Sequence, residues 1–241
     1  MTEPVIHRIS TLDLNYAPFD WPFARERQGD IAAHFASRRQ RTPALWNGRI
    51  LLGRDPVFAG NRLSASYFDA DFAGMLAWRD WGFPDESVFN GFGMGALRCA
   101  DGAFVMGVMS EHTSNAGRIY FPAGTPDLDD IADGRIDIEG SIVRELEEET
   151  GLSPGDYRME ADWHCVSAGA AIAMFRILEA PIDSEDMRVR IEANLARQAQ
   201  PELAGIHLVR DISDLTADMP RFLTAFMEQE LGRRKLKGAR S

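Results

Sequence analysis

Residues 144–152 read Arg144-Glu145-Leu146-Glu147-Glu148-Glu149-Thr150-Gly151-Leu152. Ile142, Val143 and Leu146 share one apolar side and Gly151 supplies a stop, so the pattern predicts a helix over 138–150. At about 100° per residue, Glu145, Glu148 and Glu149 fall within roughly 100° of arc, while Glu147 points elsewhere. Like charges at these spacings repel by ~0.2–0.5 kcal/mol per pair. They also sit in the last turn, where the helix dipole favours cations. A hard divalent cation, Mg²⁺ or alternatively Mn²⁺, would reverse both penalties. Arg144 lies four residues before Glu148 and is placed to brace the cluster. The plainer readings are a surface salt bridge for Arg144 and a solvated acidic face for the glutamates.

The order of the residues is more informative than their charge. The run from Arg144 to Leu152 resembles the second half of the Nudix box, G-x5-E-x7-R-E-U-x-E-E-x-G-U, where U is a bulky aliphatic residue. All seven specified positions match, and a chance match is on the order of one in ten million per position. Upstream, Phe121-Pro122-Ala123-Gly124 resembles the strand end and glycine that open the box. The family pattern places thirteen residues between that glycine and the arginine; here nineteen lie between Gly124 and Arg144, six more. Counted back from Arg144, the pattern's first glutamate falls on Ile136. That acid is therefore absent or displaced, to Glu139 or to an aspartate of the enlarged loop.

The resemblance implies an α/β (α+β) protein with the Nudix fold, a mixed sheet sandwiched between helices, over residues 91–241. Residues 1–90 form an added N-terminal α/β region. Around Trp46-Asn47-Gly48 and Tyr67 it loosely resembles the extra domain of members acting on nucleotide sugars. The implied activity is metal-dependent hydrolysis of a diphosphate bond in a nucleoside diphosphate derivative, a nucleotide sugar or ADP-ribose first. The implied metal ligands are Glu145, Glu148, Glu149 and a carbonyl at Ala123 or Gly124, and the implied catalytic set is Glu145, Arg144 and Glu148. Glu145 would be a further ligand or the general base; Asp183, Glu185 and Asp186 are later carboxylates that could take the base role. A homodimer is also implied. The competing reading is a catalytically silent, nucleotide-binding regulatory module.

Composition narrows the setting. The 241 residues are 45% hydrophobic and 26% charged, enough to bury a sizeable core. A net charge of −11 disfavours nucleic-acid binding, and phosphate handling then needs local arginines or metal. Cys99 and Cys165 make neither a CxxC pair nor a disulfide framework. The first twenty residues lack a leader pattern, and no stretch of about 18 apolar residues occurs. A cytoplasmic enzyme acting on a small molecule is the expectation. The basic run Arg233, Arg234, Lys235, Lys237 and Arg240 reads as a frayed terminus or a contact for RNA or another acidic partner.

The remaining pattern predicts strands over 5–14, 44–53 (with a turn at Asn47-Gly48), 62–67, 118–121, 157–166, 170–178 and 206–209, a hairpin over 96–109, and helices over 23–41, 71–81, 184–198 and 220–231. Residues 125–137 read as loop. Gly91, Gly93 and Gly95 mark an opening strand with another backbone close by. Trp46, Tyr67, Trp78, Trp81 and Trp163 are core or base-stacking candidates. His112 and His164 lie nearest the acidic helix in sequence without a zinc pattern.

Overall fold

The computed structural model describes residues 3–238, with side chains as far as Arg233. The chain opens with strands β1 (Val5–Ile9) and β2 (Thr11–Tyr16), helices α1 (Pro22–Glu26) and α2 (Gln28–Arg41), and strands β3 (Arg49–Ala59) and β4 (Arg62–Asp71). Helix α3 (Phe72–Asp80) and strands β5 (Val88–Arg98), β6 (Phe104–Met109) and β7 (Ile119–Tyr120) follow. A short hairpin, β8 (Ile131–Ala132) and β9 (Arg135–Ile136), leads into helix α4 (Ile138–Thr150). Strands β10 (Arg158–Ala168) and β11 (Ala171–Glu179), helix α5 (Ser184–Leu195), strand β12 (Leu203–Val209) and helix α6 (Arg221–Gly238) complete it. No helix among the described residues is long and apolar enough to cross a membrane.

The expected mixed α+β architecture is what the chain adopts. The main path of the sheet runs β1-β10-β11-β5-β3-β4-β2-β9-β8, with β6, β7 and β12 branching from β5. β11 lies parallel to β5 from Ala171↔Asn90 to Glu179↔Arg98, and β2 lies parallel to β4. β5 straddles residue 90: Val88 and Phe89 pair with β3, and Asn90 to Arg98 with β11.

The helix expected over 23–41 is two, α1 and α2, broken at Arg27, and three further local expectations change. The strand expected over 5–14 is two strands: the Ser10 and Thr11 amides both donate to the Asn61 carbonyl, and the chain breaks there. β1 then pairs with β10 and β2 with β4. The hairpin turn expected at Asn47-Gly48 is instead the anchor of α3, with Asn47 Oδ1 accepting from the Ala73 amide at 2.8 Å and the Gly48 carbonyl from the Phe72 amide at 2.9 Å. The loop expected over 125–137 contains a 3-10 turn, Leu128–Asp130, and the β8–β9 hairpin, which adds to β2 through Asn15↔Arg135.

The glycines of β5 decide where α4 lies. Side chains alternate across a strand, so Gly93 and Gly95 share a face. There a Cβ on Gly93 would sit 2.7 Å from Ile142 Cγ1 and 2.8 Å from Ile138 Cγ2. The close neighbour is a helix side chain, not the backbone expected from sequence. The opposite face carries Phe92, packed edge-on against Phe222 of α6 with centroids 5.5 Å apart, while Phe175 of the adjacent β11 stacks on Phe226 at 4.2 Å. The sheet is thus sandwiched between α4 and α6. α4 starts at Asp137, whose Oδ1 accepts from the Gly140 amide, and ends at Gly151 with φ 74°, where only glycine is unstrained.

Replacing Gly93 with Val should push α4 off the sheet and destabilise the protein by about 1–3 kcal/mol. A urea midpoint unchanged from wild type would show that the helix does not depend on this face.

Candidate active site

The helix that gathers the carboxylates buries part of them. Ile138, Ile142 and Leu146 form the buried stripe, and Glu149 continues it at 3% exposure. The expected separation of an apolar side from a carboxylate side therefore does not hold at the last turn. Glu149 Oε1 lies 3.4 Å from the Ala123 amide, which donates to it, and Oε2 is buried with no hydrogen-bond partner. Burial raises its pKa well above the ordinary value, and the neighbouring Glu145, Glu202 and Glu148 raise it further. Burial also pushes Glu145 up to about 7, opposed by Arg144 and assisted by Glu148, Glu202 and Asp130. Gly124 rests directly against Glu145, so a side chain there would run into the carboxylate. This accounts for the glycine before the enlarged loop.

Arg144 makes a fork on Asp130, with its two terminal nitrogens donating to Oδ1 at 2.7 Å and Oδ2 at 3.2 Å. It also stands 3.5 Å from Glu145 Oε1. Asp130 is 3% exposed and accepts from the Asp127 amide as well. Counted forward from Gly124, the pattern's first acid falls on residue 130. The six extra residues are then 131–136, the β8–β9 hairpin, and the Asp137 amide returns to the Asp130 carbonyl at 2.8 Å. The insertion opens and closes on one hydrogen bond. Counted back from Arg144, the position falls on Ile136, a buried residue of β9, and Glu139 pairs with Arg176 at 2.8 Å on an exposed surface.

The other candidates separate. Glu148 is exposed, next to the buried pair, with its carbonyl accepting from Gln198. Asp183, Glu185 and Asp186 sit at the start of α5, but the α5 end that meets α4 is the far one, where Asn194 lies against Gly151. These acids lie eight to eleven residues before Asn194, roughly 12–17 Å along the helix, and Glu185 is held by Arg188 and Arg210. The later carboxylate that does face Glu145 and Glu149 is Glu202, at the exposed entry to β12, where its carbonyl accepts from the Ser110 amide at 2.8 Å. Nothing in its sequence surroundings signals this.

His164 is buried against Phe226 and 3.4 Å from Glu230, a core histidine whose pKa burial lowers. His112 is half-buried. Tyr67 and Trp78 are fully buried, Trp163 nearly so, Trp81 half-buried, and Trp46 is 77% exposed. Cys99 and Cys165 are buried free thiols. Arg233 pairs with Glu230; Arg240 and the side chains of Arg234, Lys235 and Lys237 lie outside the described residues.

Ala123 and Gly124 also floor a cavity of about 890 Å³, walled by residues from α3, β5, β7 and the start of α6. Among the described residues no three acidic, His or Cys side chains already converge as a metal site. The chemistry of the donors nevertheless suits a hard cation: two desolvated carboxylates, one oxygen orphaned, with only the Arg144 guanidinium, already committed to Asp130, as counter-charge.

No family model and no curated protein matches this sequence. Among solved structures the chain is similar to the Nudix hydrolase RenU from M. Smegmatis, at 14% identity and TM-score 0.38, covering 62% of this chain and 84% of that one. It is also similar to the MutT protein from Methanosarcina mazei Go1, at 18% identity and TM-score 0.38, covering 61% and 95%. At that TM-score neither likeness bears on the site, whose chemistry is read from this chain's own residues.

The raised pKa values give the metal-free protein a specific pH dependence. Below the ordinary carboxyl value of 4.5 both glutamates are protonated and burial costs little; that stability is lost as pH rises through about 7 for Glu145 and through the raised value of the buried Glu149. In chelator, Glu149→Gln should melt with wild type at pH 5 and above it at pH 8. Subtracting wild type removes the opposing contribution of His164, and equal melting at pH 8 would contradict the burial account.

Proposed function

We propose that the protein is a metal-dependent hydrolase of a diphosphate bond in a nucleoside diphosphate derivative, of the Nudix type, with a nucleotide sugar or an ADP-ribose-like molecule as the first substrate class. The observation that carries this is the buried Glu149 with the half-buried Glu145 beside it, Arg144 being the one nearby cation, set against the Ala123-Gly124 backbone that also lines a large cavity. Asp130 takes the place of the box's first glutamate, and the fork from Arg144 fixes the loop to the helix. Residues 91–241 are the hydrolase domain in this reading, and 1–90 an added region that walls the cavity.

Glu145, Glu148, Glu149 and the Gly124 carbonyl would hold Mg²⁺ or Mn²⁺, which supplies neutralisation of the diphosphate oxygens when bound. Glu145 orients a water for in-line attack on one phosphorus and accepts its proton. The new P–O bond forms as the bridging P–O bond breaks, and the other phosphate departs with the bridging oxygen. Arg144 is a positioning residue: held by Asp130, it keeps Glu145 facing Gly124. Solution in the cytoplasm and a homodimer remain part of the proposal.

The altered first half of the box, with six extra residues between Gly124 and Arg144, favours a second reading, a silent nucleotide-binding module. A panel of nucleotide sugars and dinucleotides with Mg²⁺ separates the two, with products identified by mass. Glu148→Gln should abolish turnover, at least 100-fold down on the scale of lost charge stabilisation, while its melting temperature stays near wild type. Full activity in that variant removes the assignment, and no hydrolysis of any panel member by wild type favours the silent module.

A further inference from the structure

The cavity above Gly124 is built by both halves of the chain, and its walls are not those of an ordinary crevice. Phe83, just after α3, has φ 60° and follows Gly82 at φ 80°. A bulky residue in the left-handed region is a true outlier, and such strain persists only where the surroundings impose it. The Phe83 amide donates to the Trp78 carbonyl at 2.8 Å, and its ring meets the fully buried Trp78 edge-on at 4.8 Å. Its own ring remains 38% exposed and lines the cavity. Phe92 and Phe222 supply further aromatic wall.

The same cavity is lined by three arginines, Arg79, Arg118 and Arg221, against one carboxylate, Glu228. Arg79 has a 3.3 Å contact to its neighbour Asp80. Arg118 and Arg221 are exposed and have no carboxylate partner among the described residues, although most arginines of this acidic protein have one. Two guanidiniums without a carboxylate partner among the described residues and a strained, exposed aromatic ring therefore line one cavity whose floor is the Ala123-Gly124 backbone. Guanidinium suits phosphate oxygens, and an exposed ring suits the π-face of a base.

We infer that Phe83 is a specificity-determining residue that stacks on the base of a nucleoside diphosphate, while Arg118 and Arg221 hold its phosphates over Gly124. The inference rests on reading the site as a hydrolase of nucleoside diphosphate derivatives, and assigns substrate selection to the segment after α3. Phe83→Gly tests it, because glycine takes a left-handed φ without strain and the variant's melting temperature reports whether the fold is kept.

The measurement is equilibrium dialysis of the full chain in EDTA with ADP and with inorganic pyrophosphate, which needs no turnover. Wild type should hold ADP about tenfold tighter than pyrophosphate. Phe83→Gly should cut that preference by about tenfold, and the double variant Arg118→Ala, Arg221→Ala should weaken both ligands. Wild type with no preference for ADP, or Phe83→Gly with an unchanged preference, overturns the inference even if Mg²⁺-dependent hydrolysis is present. ADP held through Phe83 with no hydrolysis of any diphosphate supports it as a binding pocket and overturns the diphosphatase reading beneath it.

Discussion

The seating of α4 on the glycine-bearing face of β5 controls the chemistry of this protein. With no side chains at Gly93 and Gly95, Ile138 and Ile142 come down onto the strand, and the helix continues that line into its last turn. Glu149 is carried inward as a consequence, and Glu145 is pressed against Gly124. A helix end favours cations and a buried carboxylate favours a proton or a metal. Both preferences are refused by the protein's own side chains. What remains is an acidic pair whose natural complement is a hard divalent ion.

The loop before α4 holds that arrangement in place. Asp130 closes a tight turn on Asp127 and receives the Arg144 fork, so the backbone that carries Gly124 is tied to the helix that carries Glu145. The hairpin between Asp130 and Asp137 leaves this tie intact and spends its extra residues on pairing with β2. The same insertion thus joins the acidic helix to the N-terminal strands. β1 does the reverse by pairing with β10. The N-terminal segment is woven into the sheet from both directions, which lets α3 and Phe83 present a fixed wall to the cavity.

Much of this was legible in the sequence where the signal is local. The helix over 138–150, its glycine stop and its acidic last turn follow from spacing alone, and the structure has that helix at those residues. The strands that follow it, β10 and β11, were legible from their apolar runs. What escaped is non-local. Whether residues 5–14 make one strand or two depends on Asn61, and nothing near Ser10 announces it. Glu202 faces the acidic pair because Ser110 holds its backbone, a partner far away in sequence. Phe83, Arg118 and Arg221 come from three separate elements, and only the folded sheet brings them to one cavity. The Arg144 partner Asp130 was within reach: counting forward from Gly124, with the insertion placed after it, arrives at this residue, whereas counting back from Arg144 arrives at Ile136.

Desolvation raises both carboxyls of the Glu145–Glu149 pair, so protons and a metal compete for it. Metal uptake must then displace protons. Calorimetric titration with Mn²⁺ at pH 6.5, repeated in buffers of different ionisation enthalpy, measures both quantities at once. The account predicts a binding event that releases about one or more protons and is lost when Glu145 and Glu149 are both changed to Gln. No uptake, or uptake without proton release that survives the double change, would contradict it.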